Sequence, residues 1–239
     1  MKKLKFGKGN AKLGKTIATF SLPAGRTCPG ADQCKSKVVI VNGNQKVKDG
    51  PNTKFRCFAA SNEARYRNVY EARLHNLEAL KGKSMKSMVK LITDSLPKKA
   101  KYVRVHVSGD FFSQTYFDSW LEVARQNPDV TFYAYTKSLP FWVARFQLVD
   151  LVPSNFVLTA SLGGRHDALV AQYKLRHARV VFTEEEADRL GLPIDHDDSH
   201  AMKRGGNFAL LLHGGQPKGT VASKALVQLK KAGKGGYSK

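Results

Sequence analysis

Apolar and polar residues alternate in several short segments of the chain, which is the pattern of β-strands that bury one face. In the segment VRVHVS, three valines alternate with Arg104, His106 and Ser108. The same alternation recurs at 131–136 and 155–161. A sheet covered by helices on both faces would show continuous apolar runs instead. The pattern therefore predicts strands with helices on one side and a polar, roomy interior on the other.

Strands and helices are predicted to follow one another in a regular order. Predicted strands cover residues 16–22, 102–107, 131–136, 155–161, 179–182 and 207–212. Predicted helices cover residues 61–82, 86–95, 114–126, 138–146, 166–175, 183–191 and 221–231. Repeated strand-then-helix units are typical of a parallel sheet. We expect an α/β fold, namely a partial (βα)6 TIM-like barrel with helices outside, because a full eight-stranded barrel fills its centre with apolar side chains.

Basic residues outnumber acidic residues, and the excess lies at the two ends of the chain. The 239 residues include 40 Lys and Arg against 19 Asp and Glu, which leaves a net charge of +21. We expect a flexible basic arm at 1–15, one domain at 16–232 and a basic, glycine-rich tail at 233–239. Such termini favour a nucleic-acid partner, DNA or RNA, through phosphate neutralisation. The alternative is that the lysines only keep the protein in solution.

Membrane and export signals are absent from the sequence. No run of eighteen or more apolar residues occurs, so we expect no membrane span. The basic N-terminus lacks the apolar segment and the cleavage site of a signal peptide. We therefore expect a cytoplasmic protein with reduced cysteines.

All three cysteines lie in one predicted loop, residues 27–60, between the first strand and the first helix. Five residues separate Cys28 from Cys34, and twenty-two separate Cys34 from Cys57. Three thiols are one short of a closed zinc site, whereas three thiolates with one open position suit a reactive 4Fe–4S iron–sulfur cluster. Two alternatives stay open, namely one disulfide with a spare thiol, and a zinc site completed by a histidine such as His75.

Polar residues cluster at the predicted carboxyl ends of the strands, where parallel barrels place their working residues. We predict His106, Asp110 and Lys137 as catalytic residues, and Ser108, Gly109, Asp110, Thr159, Ser161, Glu184 and His213 as cofactor-binding residues. Asp110 and His106 are the strongest individual candidates, since a carboxylate beside a glycine turn can hold a ligand ammonium group. Other strand-end residues, such as Ser138 and Thr183, are better explained as helix caps.

Two further segments carry weaker signals. The residues Asp195, His196, Asp197, Asp198 and His200 place metal-ligand side chains within one short loop, and a hydrolase could activate water on such a metal. A loop this polar is more often simply solvated. The glycine pairs at 163–164 and 214–215 could present backbone amides to phosphate, although glycine pairs are common in turns.

Several long blocks of the chain resemble the bacteriophage gene product 88 family. The blocks include GPNT-x-FRCFAAS, VHVSGDFFSQTYFDSWLEVARQNPD, FYAYTKSLPFWVAR, FVLTAS-x-GGR, DHDDSHAM and HGGQPKG. The resemblance runs from about residue 8 to the C-terminus. The name of this family implies a phage origin and no particular chemistry.

A more distant resemblance is to radical S-adenosylmethionine (SAM) proteins, which have a six-stranded partial barrel and three cysteines after the first strand. Here Cys57-Phe58-Ala59 resembles the third-cysteine segment, and Ser108-Gly109-Asp110 resembles the turn that holds the methionine amino group. The resemblance implies that the cysteines hold three irons and leave the fourth to SAM, and that Asp110 accepts its ammonium group. The cysteine spacing, with five and twenty-two intervening residues, departs from the usual three and two.

The sequence leads to three hypotheses of function. The first is a phage-type, radical-SAM-like iron–sulfur enzyme that modifies a nucleic acid or nucleotide. The second is a non-catalytic nucleic-acid-binding protein with a zinc-stabilised cysteine loop. The third is a metal-dependent hydrolase that uses His196, Asp198 and His200.

Overall fold

The computed structural model describes residues 3–9, 17–146 and 152–233, and these form a mixed α/β fold. The described strands are β1 (Gly7–Lys8), β2 (Ile17–Ser21), β3 (Ser36–Val41), β4 (Asn44–Asp49), β5 (Tyr102–Ser108), β6 (Thr131–Thr136), β7 (Phe156–Ser161), β8 (His177–Val181) and β9 (Phe208–Leu211). The described helices are α1 (Phe58–Arg65), α2 (Arg67–Leu80), α3 (Met85–Ser95), α4 (Gln114–Arg125), α5 (Leu139–Val143), α6 (Ala168–Gln172), α7 (Glu184–Arg189), α8 (Ser199–Met202) and α9 (Val221–Lys231). None of these helices combines the length and the apolar character needed to cross a membrane.

A mostly parallel seven-stranded sheet forms the centre of the fold. Its strand order is β1-β2-β5-β6-β7-β8-β9. From β2 onward the strands are parallel and follow chain order, whereas β1 is antiparallel to β2. Among the described strands, no pairing joins β9 back to β2. The predicted α/β class and parallel sheet are therefore confirmed, and the sheet is not a closed barrel.

The main apolar core lies between the sheet and the helices of its outer face. Phe20, Val105, Phe132 and Phe156 project from four strands into this core, where Trp120 of α4 meets them, and none of the five is exposed. Burial of a large apolar side chain stabilises a fold by about 1.5–3 kcal/mol. These contacts hold the strands in place, and with them the polar residues at the carboxyl ends of the strands.

The inner face of the sheet is covered by α8. Ala201 packs there with Tyr133, Val157 and Phe208, and all four side chains are buried. Because α8 occupies this part of the inner face, the open space of the fold lies farther along the strands, toward their carboxyl ends.

A bulge interrupts β5. Phe20 pairs with Val105, but the next residue, Ser21, pairs with Ser108. His106, inside the bulge, has a positive φ of 72°, which is a backbone conformation that residues other than glycine rarely adopt. The predicted alternation therefore ends at Val105. The His106 ring packs against Phe20 and other rings of the main core instead of lying on the polar face.

The cysteine segment 27–60 is not one loop, because β3 and β4 form an antiparallel hairpin within it. The predicted helix 61–82 is likewise two helices, which break at Tyr66 where φ is −123° and ψ is 106°. The other predicted helices and strands match described elements to within a few residues at their ends.

Residues 3–9 dock onto the sheet, although the sequence suggests a flexible arm over 1–15. Leu4 is buried, its amide donates to Ser95 Oγ at 2.9 Å, and the Lys5 amide donates to Asn76 Oδ1 at 2.8 Å. Residues 10–15 of the predicted arm and 234–239 of the predicted tail lie outside the described residues.

Candidate active site

A cavity of about 170 Å³ lies at the carboxyl-end side of the sheet. Its walls come from the cysteine segment and from residues in or directly after β5, β6, β7, β8 and β9. Cys28, Cys34 and Cys57 all border it, together with Asp110 and Lys137. The structure thus brings the three predicted metal ligands to the same cavity as the three predicted catalytic residues, His106, Asp110 and Lys137.

Backbone contacts hold the first part of the cysteine segment against the sheet. Ala31 forms an isolated bridge with Gly164, and the Gly30 carbonyl accepts a hydrogen bond from the Arg165 amide at 2.9 Å. A Cβ atom at Gly30 would lie 1.9 Å from the Lys137 carbonyl oxygen, so only glycine permits this approach. Cys28 is thereby fixed beside the ends of β6 and β7.

Cys57 stands at the start of α1, next to the root of the hairpin. Its carbonyl accepts hydrogen bonds from the Ala60 and Ser61 amides at 3.1 and 3.3 Å. Its own amide donates to Ser36 Oγ at 3.4 Å. The first helix and the β3–β4 hairpin therefore meet at the third cysteine.

The three cysteines are free thiols that influence one another electrostatically. Burial raises the pKa of Cys28 well above its usual range, and the negative charges of Asp110, Cys57 and Cys34 raise it further. Burial, and then the charge of Cys34, raises the pKa of Cys57 to about 11. In this state the Cys28 and Cys57 thiols are protonated at neutral pH, and the structure contains no disulfide of the kind the sequence left open.

The thiols share a cavity but do not surround a common point as metal ligands. Within the described ranges, no group of three His, Cys, Asp or Glu side chains is arranged to hold a metal ion. His75 is partly buried, its Nε2 contacts the Lys3 carbonyl at 2.9 Å, and it does not border the cavity. It is therefore not placed to complete a zinc site with the cysteines.

Asp110 joins the ends of β5 and β6. Its Oδ1 accepts hydrogen bonds from the Phe111 amide at 2.8 Å and from Thr136 Oγ1 at 2.7 Å, and its Oδ2 accepts one from the Lys137 amide at 2.8 Å. Burial raises its pKa, although these hydrogen bonds oppose the shift. A carboxylate offers about four acceptor positions, so three are taken and one is left for a ligand.

Lys137 brings a buried positive charge to the cavity. Its ammonium group donates to the carbonyls of Ser161 and Leu162 at 3.0 and 2.7 Å, and also to the Ser161 hydroxyl. The side chain is only 7% exposed. This cation borders the same cavity as the thiols, where it favours bound negative charge.

His106 borders the cavity but belongs mainly to the aromatic core. Its Nε2 lies 2.9 Å from the Tyr116 hydroxyl, and its Nδ1 is buried with no hydrogen-bond partner. Burial lowers the pKa of the imidazole to about 3, so the ring is neutral at physiological pH.

The predicted cofactor-binding residues divide into two groups. Ser108, Gly109, Asp110, Ser161 and His213 border the cavity. Thr159 and Glu184 do not, since Thr159 is buried within β7 and Glu184 opens α7.

The Asp195–His200 segment serves as packing for the inner face of the sheet. Asp198 Oδ2 accepts hydrogen bonds from Arg104 at 2.7 Å and from the Tyr133 hydroxyl at 3.1 Å, and it is 1% exposed. Asp195 accepts from the amides of Asp197 and Ala201. Asp195 and Asp198 therefore bind donors of the protein itself and fasten this segment to the sheet.

The two glycine pairs have local roles. The amides of Gly163 and Gly164 both donate to the Asp167 carboxylate, at 2.8 and 2.9 Å. A Cβ at Gly214 would lie 2.9 Å from Phe58 Cα, so this glycine permits the close packing of its turn on α1. Neither pair therefore supports a phosphate site.

Sequence reasoning missed Glu63, which is fully buried behind the third cysteine. Its Oε1 accepts hydrogen bonds from the Ala24 amide, Arg73 and Ser108 Oγ at 2.8, 2.9 and 3.1 Å. It thus links the end of β2, the helices and the turn after β5. No local signal marks it, because six positions separate Glu63 from Cys57, and residues on the same face of a helix are three or four positions apart.

A family model matches almost the whole chain. The family model described as gene product 88 matches residues 2–232. The chain belongs to the gene product 88 family. This membership confirms the resemblance found in the sequence blocks, and because the description carries no chemistry, the functional argument rests on the geometry of the site.

Two curated members of the gene product 88 family come from mycobacteriophages. The Gene 88 protein of Mycobacterium phage L5 is 32% identical over 140 residues, which cover 54% of this chain and 51% of the relative. The Gene 88 protein of Mycobacterium phage D29 is 32% identical over 140 residues, covering 54% of this chain and 50% of the relative. The match thus spans about half the length of each relative. No solved structure matches the chain.

Proposed function

We propose that this gene product 88 protein is a radical-SAM-like iron–sulfur enzyme whose active site is the cysteine cavity. The observation that carries the proposal is that the only three cysteines of the chain, from separate parts of the segment 27–60, border one cavity at the strand ends. Three thiolates supply three ligands of a 4Fe–4S cluster and leave one iron open to substrate. The bound cluster would supply the electron that cleaves SAM.

The shape of the sheet supports this reading, and we propose that it curves as a partial (βα)6 barrel. Strands β5 and β9 are separated by three strands in the sheet order, which in a flat sheet would put them about 19 Å apart. Residues of both strands nevertheless border the same cavity of about 170 Å³. A curved sheet encloses the site and shields a reactive radical from water.

The donor set fits a cluster by its chemistry, although the thiols are not in ligand positions. Metal binding requires thiolates and releases their protons. The raised pKa values of Cys28 and Cys57 oppose that release, whereas the Lys137 ammonium, which borders the same cavity, stabilises the resulting negative charge. Cluster loading is therefore expected to improve as the pH rises.

The remaining side chains of the cavity have supporting tasks in this proposal. Asp110 has one acceptor position left, so it can take a single hydrogen bond from the SAM ammonium while it keeps β5 and β6 together. Lys137 and Ser161, joined by a hydrogen bond, give the lining of the cavity a polar part, and Leu210 and Leu212 give it an apolar part. A nucleic acid or nucleotide is the proposed substrate, because the net charge of +21 attracts polyanions.

Reconstitution without oxygen tests the proposal. Wild-type protein incubated with iron and sulfide should become brown and bind about four irons per chain. Cys28→Ala, Cys34→Ala and Cys57→Ala should each lose most of the colour and iron, whereas His75→Ala should keep both. With a reductant, the reconstituted wild type should cleave SAM. A colourless protein with tightly bound zinc would instead support the non-catalytic alternative and overturn the enzyme.

A further inference from the structure

The β3–β4 hairpin is a two-stranded ribbon that projects from the site. Six residue pairs join its strands, from Ser36 and Asp49 at the root to Val41 and Asn44 at the tip, so the ribbon is about 20 Å long. Asn42 and Gly43 connect the strands with φ angles of 50° and 76°, as a type I′ turn requires. A Cβ built on Gly43 meets no atom within 4 Å, so the tip stands in open space.

The two faces of the ribbon differ in character. The inner face is fixed to the protein, since Val38 is 1% exposed, Gln45 donates to the Glu63 carbonyl at 2.7 Å, and Asp49 accepts from Arg56 Nε at 3.0 Å. Lys37, Lys46 and Lys48 lie on the opposite face and are exposed. Asp49 is the only carboxylate in the two strands, and it is on the inner face.

The lysines are placed where they repel one another. Lys37 pairs directly with Lys48 across the strands, and like charges in this position destabilise a hairpin. No ion pair to a described residue relieves them. A bound polyanion would convert this repulsion into attraction.

The tip adds a different chemistry. Ile40 and Val41 are 53% and 40% exposed, and the amides of Asn42 and Asn44 are exposed beside them. In the major groove of B-DNA, apolar side chains contact thymine methyl groups and asparagine pairs with adenine. This groove admits a two-stranded ribbon, whereas the deep, narrow major groove of duplex RNA does not.

We propose that the β3–β4 ribbon is a binding surface for duplex DNA, with the lysines on phosphates and the tip in the major groove. The root of the ribbon touches the site, because Ser36 Oγ accepts from the Cys57 amide. The bound duplex is thereby held next to the cavity. The idea that this DNA is also the substrate rests on the proposed function, but the binding itself does not.

The test compares two triple variants that remove the same charge. Lys37→Gln/Lys46→Gln/Lys48→Gln changes the ribbon. Lys98→Gln/Lys99→Gln/Lys101→Gln changes three exposed lysines that precede β5, at the opposite end of the sheet from the cavity. Fluorescence anisotropy is measured with a fluorescein-labelled DNA duplex of about 20 base pairs over a series of salt concentrations, and urea unfolding confirms that both variants stay folded.

The ribbon variant should weaken duplex binding at least about tenfold and lower the slope of log Kd against log salt by about 2 to 3, since each lost phosphate contact removes about 0.9 from the slope. The control variant should change Kd less than about twofold. Equal losses in both variants would mean that only net charge matters, and would overturn the proposal. The proposal would also be overturned if the ribbon variant bound duplex DNA as tightly as the wild type. It would be overturned as well if the wild type bound duplex RNA or single-stranded DNA more tightly than duplex DNA.

The outcome is separable from that of the proposed function. The binding measurements use the protein as purified, with no iron, sulfide or SAM added. If iron reconstitution fails and ribbon-dependent DNA binding persists, the enzyme proposal falls and the ribbon assignment stands. If the protein binds iron and cleaves SAM but the ribbon variant binds DNA as tightly as the wild type, the ribbon assignment falls and the enzyme proposal stands.

Discussion

At the scale of single residues, buried polar side chains near the strand ends differ in whether they have hydrogen-bond partners. Thr136 and Thr159 are both 1% exposed in neighbouring strands. Thr136 Oγ1 donates to Asp110 at 2.7 Å and accepts from the Ser138 amide at 2.9 Å. Thr159 Oγ1 has no hydrogen-bond partner. The two threonines therefore form a natural pair of test and control.

Thr136→Val should destabilise the protein by about 1–3 kcal/mol, because it leaves a buried carboxylate oxygen and a buried amide without this partner. It should also raise the pKa of Asp110 further, since the Thr136 hydrogen bond lowers that pKa. Thr159→Val should leave the free energy of unfolding unchanged or raise it. Urea unfolding measures both variants, and equal effects would show that the Asp110 contact has no special role.

His106 should make folding sensitive to acid. Its pKa is about 3 in the folded protein against an ordinary value of 6.5, so the unfolded chain takes up the proton first as the pH falls. The stabilising contribution is complete above about pH 6.5 and is lost progressively toward pH 3. In His106→Asn, which tolerates a positive φ and does not titrate, the slope of unfolding free energy against pH over this range should become shallower. An unchanged slope would assign the acid sensitivity to other groups.

At the scale of elements, the order of strands and helices follows from the sequence, whereas several local features do not. The helix 221–231 and the strand 131–136 are predicted at their observed bounds, because strong periodicity and clear caps agree there. The hairpin was also open to prediction, since Asn42-Gly43 directly after the apolar run VVIV is a type I′ turn signal. Treating 27–60 as one loop hid it.

The bulge at His106 and the packing of Asp198 could not be predicted from the sequence. The alternation of VRVHVS is regular, so nothing local marks the residue at which φ becomes positive. Arg104 and Asp198 are 94 positions apart, and an acidic loop has the same pattern whether it is solvated, binds a metal or pairs with an arginine. Only the topology of the sheet brings the two charges together.

The α8 segment should be held to the sheet by Asp198. Asp198→Ala removes the carboxylate that lies 2.7 Å from the buried Arg104 guanidinium, and breaking a buried ion pair costs about 3–5 kcal/mol. His196→Ala, two positions away and exposed, should change stability by less than about 0.5 kcal/mol. Thermal unfolding compares the two, and a small effect at Asp198 would show that the loop is not fastened there.

At the scale of the whole molecule, residues 3–9 complete one edge of the sheet. In a closed barrel, β2 would pair with the last strand, but here β1 occupies its outer edge. The sequence carried a sign of this, because Leu4 and Phe6 alternate with lysines in KKLKFGK. The high charge of the segment made the flexible arm the more natural interpretation.

The docking of this segment can be tested at Leu4. Its side chain is 5% exposed and packs in the main core, so Leu4→Ala should destabilise the whole protein by about 2–4 kcal/mol, whereas the exposed neighbour Lys5→Ala should have little effect. Hydrogen exchange adds the discriminating measurement. The β2 amides that face β1 should lose protection in Leu4→Ala more than those of β7, because undocking leaves the β2 edge open to water. Uniform loss of protection would mean that Leu4 supports the core without holding β1 in place.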